Sequence, residues 1–287
     1  MKMIDKLGKC AGQLGASMKM LATVALRSRL LKAVKEKPEK PLLILGNGPS
    51  LNETIATQRK TMDCYDLLAV NFAANAPVFT DLKPEHYVLA DPHFFDSDGD
   101  ANVEKLWKAL KGVTWPMTLH LPANISGKTQ AKDWVAGGTG RRILPFNMTP
   151  AQGFPWLTRL MIDAGLAMPR PRNVLIPSIM AGIRMGYRHI AIAGADHTWT
   201  RTLSVDDDNR VVTLQPHFYS DNKDEKERVA SVYKDIKLHE ILQSMTIAFR
   251  SYHEIADYAR HRGIEIVNVT PGSFIDAFPR QNSLSTL

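Results

Sequence analysis

The stretch LLILGNGPSLNETI, residues 42–55, runs a short apolar segment into two glycines, an asparagine and a proline, and then into a helical pattern. Four apolar residues in a row, bounded by turn formers, suit a strand covered on both faces, as in a parallel sheet. Gly46 and Gly48 permit a tight turn and a close approach of backbone to a ligand. Ser50 and Glu53 have the S-x-x-E spacing of a capping box, and the amides at a helix start form an anion site. The expected occupant is a nucleotide phosphate or its adjoining ribose, with Asn47 and Pro49 shaping the turn and the Asn47 amide offering a donor and an acceptor. No Gly-Lys-Ser/Thr follows, so this is not a P-loop, and the full G-x-G-x-x-G spacing is absent. Taken alone, such a turn is also a common plain connection.

The other apolar runs give the turn its context. Residues 66–70, 86–90, 117–121, 189–193 and 264–269 read as further buried strands separated by longer segments, several of them helical. Helices are expected over 174–185, with Pro177 in the first turn, and over 225–262, where Val229, Val232, Tyr233, Ile241, Met245 and Tyr252 belong to an apolar stripe stopped by Gly263. The strands end at Asn71, at Asp91-Pro92, at Gly194-Ala195-Asp196-His197 and at Thr270-Pro271-Gly272-Ser273. In a parallel sheet these ends share one edge, where ligands bind at the point of strand-order reversal. The predicted fold is a doubly wound, Rossmann-like α/β sheet. Residues 197–224 interrupt it: TLSVDDDNRVVTL reads as a hairpin, and an insertion at that edge suits a lid.

The chain has 287 residues, 44% of them hydrophobic, enough for one α/β core with an insertion. The formal charge of +7 resides in residues 1–40, which carry ten Lys/Arg against three Asp/Glu; the remaining chain has 26 of each sign. A neutral body argues against a nucleic-acid surface. The basic arm interleaves Lys with Leu, Met and Val and is too interrupted to span a bilayer. It suits a helix lying on an anionic membrane face, or equally one solvated or packed on the body. Cys10 and Cys64 offer neither a disulfide framework nor metal-ligand spacing, so a reducing, cytoplasmic setting is expected.

The segments ILGNGPSL, AVNFAA, YVLADPHFF and MAGIRMGYRHIAIAGADH together resemble the bacterial sialyltransferases of glycosyltransferase family 42 and related proteins of surface-polysaccharide biosynthesis. The glycine turn is also similar to one in pterin diphosphokinase-like domains. The first resemblance implies a GT-A-like variant of the Rossmann-like fold and an inverting, metal-independent transferase using a CMP-activated acidic sugar, with no further cofactor. It places Gly46, Asn47, Gly48, Pro49, Ser50 and Asn71 at the nucleotide, with Asp91, where the sialyltransferases carry asparagine, and Asn173, where they carry Thr-Ser-Gly. Asp196 and Thr270 join them from the other strand ends. The implied acceptor is a cell-surface glycan or glycolipid at the inner membrane face, and a homo-oligomer is left open. The family's lid tyrosines and histidine have no direct counterparts here.

An inverting transfer needs a base for the acceptor hydroxyl and donors for the departing phosphate. His217 is the expected base and Tyr219 its neighbouring phosphate donor, with His197 as ligand-facing support. Asp196 suits a helix cap or a ribose. Asp206-Asp207-Asp208 mimics a D-x-D metal motif, but its place at a hairpin tip reads as a solvated turn, and no metal is expected. Arg141-Arg142 and Arg170-Arg172 suit phosphates or plain surface charge. The competing functions are an ATP-dependent pterin-type diphosphokinase and a non-catalytic nucleotide-binding module.

Overall fold

A computed structural model describes residues 2–34, 37–96, 99–213 and 236–285. Seven strands form one sheet: β1 (Leu42–Leu45), β2 (Asp66–Val70), β3 (His86–Val88), β4 (Met117–Pro122), β5 (Arg141–Phe146), β6 (His189–Ala193) and β9 (Glu265–Asn268), ordered β5-β4-β3-β2-β1-β6-β9. Every neighbouring pair is parallel. From β1 the chain steps outward to β5, then returns to place β6 on the other flank of β1, so the order reverses between β1 and β6.

The helices are α1 (Lys2–Arg27), α2 (Ser50–Met62), α5 (Ala101–Lys111), α6 (Thr129–Ala136), α7 (Pro155–Asp163), α8 (Leu175–Arg184) and α9 (Leu238–His261), with two single turns, α3 (Phe79–Leu82) and α4 (His93–Asp96); of these α1, α2, α8 and α9 match helices expected from the sequence. Alternation along the strands divides the core. Leu42 and Ile44 pack with Ile176 and Ile179 of α8 and Tyr252 and Ile255 of α9, whereas Leu43 and Leu45 join Leu51 and Met62 of α2 on the opposite face. Leu119 and Leu121 of β4 meet Leu106 of α5 and Trp134 of α6. Helices thus cover both faces, which explains why the strands read as unbroken apolar runs.

Three sequence expectations need correction. Residues 141–146 form an edge strand that the sequence reading missed, because Arg141-Arg142 and Pro145 disguise it; an edge position tolerates the proline. Arg141 serves structure, donating to the carbonyls of Trp134, Lys111 and Val113 at the amino edge of the sheet, and Arg142 Nε donates to Thr118 Oγ1. The capping box proposed for Ser50 and Glu53 is not formed: α2 begins at Ser50, and its cap position is Pro49. The long helix begins at Leu238, after an extended Lys237, rather than at 225; Val229, Val232 and Tyr233 lie outside the described residues.

The hairpin appears as β7 (Ser204–Val205) and β8 (Val211–Val212), antiparallel. At its tip Asp206 accepts from the Asp208 and Arg210 amides and from the Arg210 side chain, which also pairs with Asp208. These carboxylates organise a turn, the simpler of their two readings.

The basic arm divides in two. Ser17 and Met20 are buried, and Ser17 Oγ accepts the Phe154 amide at 3.0 Å while the Met20 sulfur accepts that of Gln152 at 3.3 Å. Beyond α1 the Asn147 side chain brackets Arg29, and Arg184 donates to the Lys32 carbonyl at 2.9 Å. Residues 6–15, by contrast, are exposed throughout. Among the described residues no helix is long and apolar enough to cross a membrane.

Candidate functional site

The loops leaving β1 and β6 meet at the strand-order reversal. The Gly46 amide donates to the Ala193 carbonyl at 2.7 Å and the Gly48 amide to that of Gly194 at 2.8 Å. A Cβ on Gly46 would stand 2.8 Å from the Gly194 carbonyl carbon, and one on Gly48 would stand 2.8 Å from the Gly194 oxygen and 2.7 Å from Asp196 Cγ. The close approach these glycines permit is therefore between two strand-end loops, and their amides are already committed.

The start of α2 is also occupied. Ser50 Oγ donates to Asp196 Oδ2 at 2.7 Å, and the Ser50 amide adds a second bond. Asp196 is the anion at this helix terminus, supplied by the chain itself, which is the helix-cap role its position suggested. Burial raises its pKa, and the Ser50 bonds pull the other way. A phosphate at the first turn of α2 would have to displace this carboxylate.

What remains unspent is Asn47. Its Nδ2 donates to the Val70 carbonyl at 3.3 Å, which fixes the amide orientation, and its buried Oδ1 has no hydrogen-bond partner. A buried acceptor without a partner costs about 1–3 kcal/mol, so a group that donates to it there recovers that loss. A second unpaired amide atom belongs to Asn173, ahead of α8: Oδ1 accepts the Leu175 amide and the Tyr252 hydroxyl, and Nδ2 has no partner.

Tyr252 links Asn173 to His197. Because the tyrosine proton goes to Asn173 Oδ1 at 2.9 Å, the 2.7 Å bond between His197 Nε2 and the Tyr252 oxygen needs the proton on Nε2. His197 Nδ1 is thereby left as a bare acceptor, with no hydrogen bond among the described residues. The ring is buried, has φ of 51°, and lies 4.1 Å from Trp199, centroid to centroid. Burial pushes its pKa down to about 3 and that of Tyr252 upward.

The other predicted residues fall at the same edge with different duties. Asn71, with φ of 50°, opens a helical turn after β2, and its carbonyl accepts the Tyr87 hydroxyl. Asp91 is exposed, and its Oδ1 accepts the His93 amide. Thr270 is a buried fastener: its Oγ1 accepts the Ala195 amide at 3.0 Å, while its own amide donates to Asn268 Oδ1. Arg170 donates to Gln152 Oε1. His217 and Tyr219 lie outside the described residues. Sequence reading missed Tyr252 and Trp199 as site residues. The available signal was a tyrosine hydroxyl in an apolar stripe, which has to find a polar partner.

These histidines have a measurable consequence. His120, packed against His86, is likewise held well below its ordinary value by burial. A histidine neutral in the folded state and titrating near 6.5 when unfolded stabilises the fold fully above that value, and this stability is lost as pH falls through it. Between pH 7 and pH 5 each should withdraw about 2 kcal/mol. Urea unfolding across this range should show the loss, and His197→Phe should remove about half of it. A flat profile would mean that both rings take up protons in the fold.

No family model matches the sequence, and no curated protein matches it. Among solved structures the chain is similar to the MAf glycosyltransferase from Magnetospirillum magneticum AMB-1, with a TM-score of 0.51 and 13% identity over 94% of this chain. The chain spans 39% of that protein's length. At this identity the likeness establishes a shared Rossmann-like α/β fold.

Proposed function

We propose that the chain is a glycosyltransferase that binds a CMP-activated donor, sialic acid or a similar acidic sugar, at the β1–β6 reversal. It transfers the sugar with inversion, without a metal, to a glycan or glycolipid held at the inner face of the cytoplasmic membrane. Residues 41–287 form the catalytic unit, the insertion 197–224 its lid, and residues 1–40 the arm that meets the anionic surface. The observation carrying this reading is the buried, unpartnered Asn47 Oδ1 at the reversal point. It suits a ribose hydroxyl or a cytosine amino group, both hydrogen-bond donors. The resemblance to the sialyltransferases and the fold shared with a glycosyltransferase support it. Asp196 at the α2 terminus weighs against a nucleoside triphosphate laid on that helix, which the diphosphokinase reading needs.

In this mechanism Asn47 orients the nucleoside, and Asn71 and Asn173 flank it. The chain Asn173–Tyr252–His197 holds the His197 imidazole in one tautomer. His217 takes the acceptor proton, and Tyr219 donates to the departing phosphate.

Thermal unfolding with CMP, UDP and ATP, each with and without magnesium, tests the donor. A ligand at 100 times its Kd adds about 2.7 kcal/mol. CMP alone should stabilise the chain, and Asn47→Ala should weaken CMP by tenfold or more, as loss of one buried hydrogen bond implies. Unliganded stability should change by under about 1 kcal/mol, since the variant removes an unsatisfied acceptor along with a long bond. Stabilisation by ATP with magnesium and none by CMP would transfer the site to the diphosphokinase reading. CMP binding without turnover of a CMP-sugar would favour the non-catalytic module.

A further inference from the structure

Large apolar side chains reach solvent mainly in one region. Of twelve that are exposed among the described residues, eight lie on α1, on the segment after it, or on α7. On α1, Leu7, Leu14, Met18 and Leu21 recur at intervals of seven, four and three, which places them on one helical stripe. Ser17 and Met20, which meet the body, lie on another side of the helix, so the stripe is turned away from the fold. Lys6, Lys9 and Lys19 stand outside the stripe and are exposed. On α7, Trp156 is 64% exposed and Leu160, one turn on, is 52% exposed. Trp156 follows by two residues the Phe154 amide that bonds Ser17, so the two apolar surfaces adjoin.

Because α1 is fastened at Gln152 and Phe154, its position is fixed relative to Trp156. The segment that fastens it leaves the carboxyl end of β5, on the same sheet edge as the β1 and β6 loops. Four strand spacings separate β5 from β1, about 19 Å.

We propose that α1 and the exposed face of α7 form one composite surface that inserts shallowly into an anionic bilayer, with Trp156 as its anchor at the headgroup level. This rests on the membrane-arm reading above and adds to it a contact on the body itself. The occupant is argued from charge: a neutral body carries a +7 arm whose apolar stripe is flanked by lysines, the pattern that draws a helix onto acidic lipid. A tryptophan with an apolar ring and a polar N–H suits that depth. A membrane docked there would lie along the carboxyl edge of the sheet, within reach of a donor held at the β1–β6 reversal.

The test uses the full chain with phosphatidylcholine vesicles, with and without phosphatidylglycerol. Co-sedimentation and tryptophan emission are read for the parent, for Trp156→Ser with Leu160→Ser, and for a deletion of residues 1–15, which stops short of the buried Ser17. The parent should bind only the anionic vesicles, with a blue shift that Trp156→Phe abolishes. The α7 double variant should partition at least tenfold more weakly, since each buried apolar side chain is worth about 1.5 kcal/mol or more. If the deletion releases the protein while the α7 variant partitions like the parent, the arm reading stands and the composite surface is overturned. If the parent binds no vesicles, or self-associates through this face instead, both are overturned.

Discussion

Gly46→Val is expected to cost the protein about 3–5 kcal/mol and to lower its melting temperature by roughly 10 °C, with donor binding lost as a consequence. The new Cβ would be driven into the Gly194 backbone, and backbone cannot swing aside as a side chain can. Separating the loops also breaks the Gly46–Ala193 and Gly48–Gly194 bonds and pulls Asp196 from Ser50. Gly194 has φ of 67° and is itself pressed against the Gly46 carbonyl, so neither loop can adjust. Gly127→Val is the matched control, since a Cβ there meets nothing within 4 Å and the residue is exposed; it should stay within about 0.5 kcal/mol. Calorimetry on the two variants decides the matter. A Gly46→Val protein that melts like the parent but fails to bind CMP would return this glycine to the ligand and refute the interloop role.

The sheet was legible because burial on both faces writes each strand as a short apolar run, and the strand ends announced their common edge through polar and small residues. β5 escaped because an edge strand needs less apolar covering: it opens with Arg141-Arg142 and carries Pro145, and each has a local use that sequence cannot reveal. The turn after β1 was recognised as special, but the reason was half hidden. Two glycines and a serine before a helix look the same whether the anion at the helix start is a phosphate or a carboxylate from a loop 146 residues away. Asp196 was named as a helix cap or ribose ligand; the helix proved to be α2, across the reversal. Asn173 and His197 were named singly, but their link through Tyr252 could not be read, since the three are joined only by folding over 79 and 55 residues.

Replacement of His217 by alanine should lower turnover on the true acceptor by about 10²–10⁴-fold while leaving CMP affinity nearly unchanged, the signature of a group acting in the proton transfer. A base should have a pKa near the working pH, and His197 is held near 3 by burial, so protonating it at neutral pH runs uphill by about four pH units. Its Nε2 is committed to Tyr252. Its place is thus positional, which under the proposed mechanism leaves the acceptor proton to His217, a residue that follows Pro216 and precedes Tyr219 by two in the sequence. His197→Gln, which can still donate to Tyr252, should keep the acid limb of the kcat/KM profile near neutral pH, because in the proposed mechanism that limb belongs to the base His217. His217→Ala should erase it. Tyr219→Phe should lower kcat and keep the limb, since a phosphate donor does not titrate in that range. Loss of the limb in His197→Gln, with His217→Ala retaining full turnover, would assign the base to His197 and require its ring to leave the Tyr252 bond before each transfer.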